Sequence, residues 1–187
     1  MASFYLKIKD AKVVYKNFRG LETDKNSAGS RNFALMISPD DEFQIDIYDN
    51  GGRRSMIANY RDLIEQGWNM REHMKVNRDA NGNMISREPS GDYILSSIKV
   101  NFYPEKYAPT IRYYASPEAK SFVLLNDELL NPIGELGKQI DENGFAQCYV
   151  CIRGYNDKPG HVSAFVKEML IVGKPSIFDE WGYGEEE

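Results

Sequence analysis

The sequence predicts a mostly β, largely antiparallel domain, curled into a small closed or partly open barrel, with one main helix. Three observations predict it. Apolar and polar residues alternate with period two over much of the chain. Turn-forming pairs such as Asn50-Gly51, Asn81-Gly82 and Asn143-Gly144 separate the alternating runs. Only one stretch, residues 56–64, shows clear helical spacing. The chain has 187 residues, of which 42% are hydrophobic and 27% charged. That is the size of one globular domain, and it is too apolar for a disordered chain.

In the first strand Phe4, Leu6 and Ile8 alternate with Tyr5, Lys7 and Lys9. The phase then slips, and Ala11, Val13 and Tyr15 alternate with Lys12, Val14 and Lys16. A bulge near Asp10–Ala11 explains the slip and bends the strand, as small barrels require. Further strands are expected over residues 30–37, 43–48, 93–102, 110–114, 145–154 and 162–172. Ser55 is the expected cap of a helix whose apolar face is Met56, Ile57, Tyr60, Leu63 and Ile64, ending at Gly67. A weaker helical stretch, 127–140, is interrupted by Pro132, Gly134 and Gly137.

Composition narrows the function. No apolar run approaches the length of a membrane-spanning helix, and Lys7 and Lys9 interrupt the N-terminal apolar stretch that a secretory leader would need. Cys148 and Cys151 are too few for a disulfide framework, so an intracellular, cytoplasmic protein is expected. The formal charge is −5 and is unevenly spread. Residues 173–187 set Lys174 against Asp179, Glu180, Glu185, Glu186 and Glu187, a net −4 that leaves residues 1–172 at −1. The division expected is a folded domain over 1–172 and a flexible acidic tail over 173–187. The acidity therefore does not exclude nucleic-acid binding by the body.

Several constellations invite chemistry and fall short. Residues 77–88 match a calcium-loop template except at the first position, where Asn77 stands for Asp. Pro89 follows where an exiting helix should run, so a β-hairpin turning at Asn81-Gly82 is the favoured reading. Cys148 and Cys151 are half a zinc set with no second pair, and on a strand their sulfurs diverge. Buried, reduced thiols are expected instead. Asp40, Asp41, Glu42, Asp46 and Asp49 raise a metal-dependent nuclease, but Asp46 alternates out of phase with Phe43, Ile45 and Ile47, so a solvated outer face is expected for it. With only His73 and His161, and no phosphate-binding or nucleophile motif, enzymatic catalysis is not expected, nor is a cofactor or metal.

The strongest signal is rings interleaved with cations: Tyr15-Lys16, Phe18-Arg19, Arg31 with Phe33, Trp68 with Arg71, Lys106-Tyr107, Arg112-Tyr113-Tyr114 and Arg153 with Tyr155. Single strands are held by rings that stack on bases and cations that meet phosphates. On the strand through residues 148–155, Tyr149, Cys151, Arg153 and Tyr155 share one face, and Cys148, Val150 and Ile152 share the other. One face is expected to be core and the other a stacking platform.

Taken in order, Asn17-Phe18-Arg19-Gly20, Arg31-Asn32-Phe33, Gly67-Trp68-Asn69, Arg153-Gly154-Tyr155 and Gly160 before Ala164-Phe165 resemble phage-encoded single-stranded DNA-binding proteins of the OB-fold type. The resemblance spans most of residues 10–172. It implies an OB-fold-like antiparallel barrel of five strands or slightly more, with elaborated loops, and a non-enzymatic role in DNA replication or recombination. Carried over by position, the DNA contacts it implies are Phe18, Arg19, Arg31, Trp68, Arg71, Arg153 and Tyr155. The ring–cation interleaving adds Lys16, Arg112 and Tyr113. The acidic end resembles the tails of such proteins, which implies that Phe178, Asp179, Glu180 and Trp181 bind replication partners or modulate DNA access. Homo-oligomerisation is compatible with this reading. The alternatives are an assembly protein with a Tyr/Arg-rich protein interface and the nuclease above.

Overall fold

The computed structural model describes residues 2–174. The tail residues Phe178, Asp179, Glu180 and Trp181 lie outside the described residues. Eleven strands and two helices follow in the order β1 (Ser3–Ile8), β2 (Lys12–Asn17), β3 (Asn32–Ile37), β4 (Phe43–Asp49), β5 (Gly52–Ala58), α1 (Tyr60–Gln66), β6 (Met70–Arg78), β7 (Met84–Lys99), β8 (Thr110–Tyr114), β9 (Val123–Leu124), α2 (Glu135–Glu142), β10 (Phe145–Lys158) and β11 (His161–Gly173). The protein is mostly β, as the alternation predicts.

All the strands belong to one sheet, ordered β2-β3-β7-β11-β10-β1-β4-β5, with β6 added on β7 and β8 and β9 added beside β11. The sheet is not closed, and it has eleven strands where the resemblance implies about five. Pairing is antiparallel except where β11 meets β7 and β8, which run parallel to it. The expected bend is present. Ile8 pairs with Val150 of β10, and just past the bend the Ala11 N–H donates to the Cys148 carbonyl at 2.8 Å. β2 then leaves to pair with β3. One nearly continuous stretch of chain thus serves two sides of the sheet. The inward residues of β1, β3, β4, β7, β10 and β11, among them Phe4, Leu6, Phe33, Leu35, Ile45, Ile98, Ile152 and Ile171, fill one hydrophobic cluster.

The main helix begins later than expected. Ser55 lies in β5, paired with Asp46, and Met56 and Ile57 are strand residues. The cap is Asn59, whose side chain accepts from the Arg61 and Asp62 N–H groups while the Asp62 carboxylate accepts from the Asn59 N–H, a reciprocal capping box. Pairing with β4 outcompetes the helical spacing of residues 56–58. The helix ends at Gly67 in the left-handed conformation (φ 95°), as expected.

Residues 77–88 form the hairpin between β6 and β7. Asp79 Oδ1 accepts from the Asn81 and Asn83 N–H groups, while Glu88 accepts from Asn77 Nδ2 and pairs with Lys75 at 3.3 Å. Both cysteines are free and buried, and burial pushes the Cys148 thiol up to about 12. Among the described residues no helix is long and apolar enough to cross a membrane.

Candidate nucleic-acid interface

The structure separates the residues singled out from sequence into three groups. The first is core. Phe18 is fully buried and stacks on Phe33 with ring centroids 5.4 Å apart and planes 5° from parallel. Trp68 is buried against Phe4 (5.8 Å), and its Nε1–H donates to Gln66 Oε1 at 2.9 Å. A Cβ at Gly154 would come within 2.7 Å of the Trp68 ring, so the indole seat depends on that glycine. Tyr113 is 6% exposed. A ring enclosed on both faces has nothing to offer a base, so Phe18, Trp68 and Tyr113 are corrected from contacts to core.

The second group is committed to holding the protein's own loops. Arg19 pairs with Asp141 of α2 at 3.0 Å, and the same carboxylate accepts from the Phe18 and Arg19 N–H groups at 2.6 and 3.2 Å. The Asn17-Phe18-Arg19-Gly20 run therefore anchors α2 to β2. Arg31 donates to the carbonyls of Asp127 and Leu130 and lies over Phe102. Lys16 donates to the Asn143 carbonyl and lies over Phe145 at 4.2 Å, and burial lowers its pKa. Arg112 pairs with Glu168 at 3.2 Å and lies over Phe122. Lys16, Arg19 and Arg31 are thereby spent on internal partners and corrected to structural roles, whereas Arg112 is held only by an ion pair more than a third exposed on both sides.

Arg71, Arg153 and Tyr155 make up the third group, open to a ligand. Arg71 is exposed on β6, over the Tyr15 ring at 5.8 Å. Arg153 and Tyr155 lie on β10, where the expected alternation holds: Cys148, Val150 and Ile152 point into the core, and Arg153 and Tyr155 point away from it. Cys151 shares their side of the strand but is buried, 4% exposed.

Around Arg153 the register assembles a surface that the linear sequence does not show. Ser55 of β5 pairs with Asp46 of β4, Asp46 with Tyr5 of β1, Tyr5 with Arg153 of β10, Arg153 with Phe165 of β11, and Phe165 with Lys99 of β7. With strands ~4.8 Å apart, this row of side chains crosses roughly 24 Å of the outer face. One residue pair away, Arg53, Tyr48, Ser3, Tyr155 and Ser163 form a second row. Rings and cations meet throughout. Lys167 Nζ is 4.4 Å from the Tyr5 centroid, Arg53 is 5.9 Å from Tyr48, Arg153 is 5.3 Å from Tyr155, and Lys99 is 5.3 Å from Phe165. Tyr5 and Tyr48 meet edge to face at 5.6 Å. Arg153, Lys99 and Lys167 have no ion-pair partner among the described residues.

Tyr5, Lys7, Tyr48, Arg53, Phe165, Lys167 and Lys99 were not predicted as site residues. The alternation of Tyr5 and Lys7 with a core set was legible. That they join Arg153 depends on strand pairing across the whole chain, which no local pattern encodes.

Asp46 sits within this surface and corrects a further expectation. It is 3% exposed rather than solvated, because Lys7 (3.4 Å), Arg53 (3.3 Å) and the Ser55 hydroxyl (2.6 Å) close over it. The Ser55 hydrogen bond, helped by Lys7 and Arg53, holds its carboxyl at about 2, below the ordinary value of 3.8. A carboxylate depressed on folding adds stability above its unfolded pKa and loses it as the pH falls through its folded one. Asp46 is therefore expected to contribute about 2 kcal/mol at neutral pH, lost between about pH 4 and pH 2. Asp46→Asn should lower stability at pH 7 by that order and flatten the acid limb of a denaturation curve. An unchanged acid limb would show that another carboxylate sets it.

The arrangement can hold a chain of flat, anionic units: rings lie on the sheet, cations stand among them, and the one buried acid is already neutralised. No family model, characterised protein or solved structure is significantly similar to this chain, so the likeness to phage single-strand-binding proteins rests on the residues that suggested it.

Proposed function

We propose that the protein binds single-stranded nucleic acid, DNA in the reading carried over from the sequence, on the outer face of β5, β4, β1, β10 and β11. The observation that carries this is the two rows that hold Tyr5, Tyr48, Tyr155 and Phe165 with Arg53 and Arg153, beside which Lys7 and Lys167 line the same hollow as Tyr5 and Tyr48. Bases stack on the rings whatever their identity, because every base has a π face. The lysines lying over rings swing aside on their flexible stems to meet phosphates, while the guanidinium of Arg153 stays on Tyr155 and extends the stack. A duplex hides its base faces and gains only the phosphate contacts, so single strands are favoured. Binding of this kind needs no bond-making step, and the role is that of a coat for exposed strands during replication or recombination.

Titration of labelled single- and double-stranded oligonucleotides over a range of salt tests the reading. The single strand should bind tighter, and log affinity should fall with log salt at about −0.7 per phosphate neutralised, or roughly −2 to −4 overall. A flat salt dependence, or equal affinity for duplex, would overturn it.

A further inference from the structure

Beside this surface lies a concavity of about 360 Å³, lined by Asn101, Tyr103, Tyr107, Arg153, Tyr155 and Phe165 among others. It adds a wall to the flat sheet: the segment between β7 and β8, with one 3₁₀ turn at Glu105–Tyr107, rises beside β10 and β11. Larger hollows exist, such as the one of about 580 Å³ at the β1–β2 bend, but Lys7, Lys9 and Lys12 are set there against Asp10, Asp41 and Glu42, and Tyr149 is almost the only ring beside Phe43. The concavity at Arg153 is different in kind. Its guanidinium lies between two rings, 5.3 Å from the centroids of both Tyr107 and Tyr155, and its buried Nε has no hydrogen-bond partner among the described residues. Tyr103 is 71% exposed at the rim, its hydroxyl donating to Asp127 at 2.9 Å. Asn101 is exposed on the same lining.

Size and chemistry agree on an occupant. Sites for small ligands run from about 300 to 1,000 Å³, and this one is at the lower end, enough for a single nucleotide and too small for several stacked ones. Its walls are aromatic, which suits a base turned out of the strand. Asn101 brings both a donor and an acceptor, the complement of the N6 and N7 groups on one edge of adenine. A pyrimidine also carries a donor beside an acceptor, but it covers less of the ring walls than adenine does. We infer that this concavity is a one-nucleotide subsite that selects adenine, giving a sequence-tolerant surface a preference at one position of the bound strand. The inference rests on the single-strand reading above and adds to it a specificity that flat stacking lacks.

The experiment compares an all-thymidine oligonucleotide with strands of the same length carrying one deoxyadenosine, placed at each position in turn. At one placement the adenine strand should bind roughly fivefold tighter or more. Asn101→Ala should abolish that increment while changing affinity for the all-thymidine strand by much less. Equal affinity for every strand would overturn the subsite while leaving the single-strand reading intact. An increment that persists undiminished in Asn101→Ala would overturn its assignment to this concavity. Failure to bind any strand would overturn the reading beneath it.

Discussion

Arg153→Glu should weaken single-strand binding about a hundredfold at low salt, the largest loss expected from one position on this face. Arg153 stands at the centre of the row that runs from Ser55 to Lys99, pairing with Tyr5 on one side and Phe165 on the other. The substitution withdraws the guanidinium that extends the stack from beside Tyr107 and Tyr155, removes a positive charge from the face, and sets an anion where the strand must pass. Because repulsion is part of the effect, the loss should shrink as salt rises and screens it. Lys167→Glu, at an exposed position, is the companion that does not disturb packing, and it should act in the same direction with smaller size. Anisotropy titrations on protein shown to be folded measure both. An Arg153→Glu affinity within about twofold of the original at low salt would remove this face from the proposal.

Phe18→Ala is expected to have the opposite profile, a loss of about 3–5 kcal/mol of stability with little change in affinity per folded molecule. The ring is fully buried, stacked on Phe33 and edge-on to Phe145 at 6.3 Å. Removing it opens a cavity where β2, β3 and β10 meet, beneath the carboxylate of Asp141 that ties α2 down. For a domain whose total stability is of order 5–15 kcal/mol, that is a large share. Urea denaturation measures the first half of the claim, and binding at concentrations corrected for the folded fraction measures the second. A variant of normal stability with impaired strand binding would show that Phe18 faces the ligand after all.

These two substitutions mark where the sequence was legible and where it was not. Period-two alternation located most of the strands, though not β5, β6 or β9, and the phase slip at Asp10–Ala11 located the bend, because both depend on residues adjacent in the chain. The helix start was misplaced because Ser55, Met56 and Ile57 satisfy helical spacing locally, and only the pairing with β4 shows that they are strand. The candidate site failed in a similar way. Phe18-Arg19 and Arg153 with Tyr155 look alike as ring–cation pairs, yet Asp141, 122 residues away from Arg19, claims the first cation. Nothing near Arg19 announces that partner. Likewise Tyr5 gains its significance from Asp46 and Arg153, each brought beside it by strand pairing. Alternation reports which side of a strand is buried, but the company kept by the other side is a property of topology.

The hairpin formed by β6 and β7 has a further consequence. β7 runs for sixteen residues, but only its second half, from Tyr93 to Lys99, pairs with β3. Its first half pairs with β6 alone, and residues 78–89 are exposed throughout. Those residues contribute nothing to the hydrophobic cluster, so a gain or loss of paired positions there leaves the phase of Tyr93–Lys99 untouched. Among the described residues, the hairpin can thus change length without moving the core, while the surface around Arg153 is tied to the register of five strands at once and has no such latitude. Evolution can redraw the outline of this protein at one end without moving the residues proposed to read the strand.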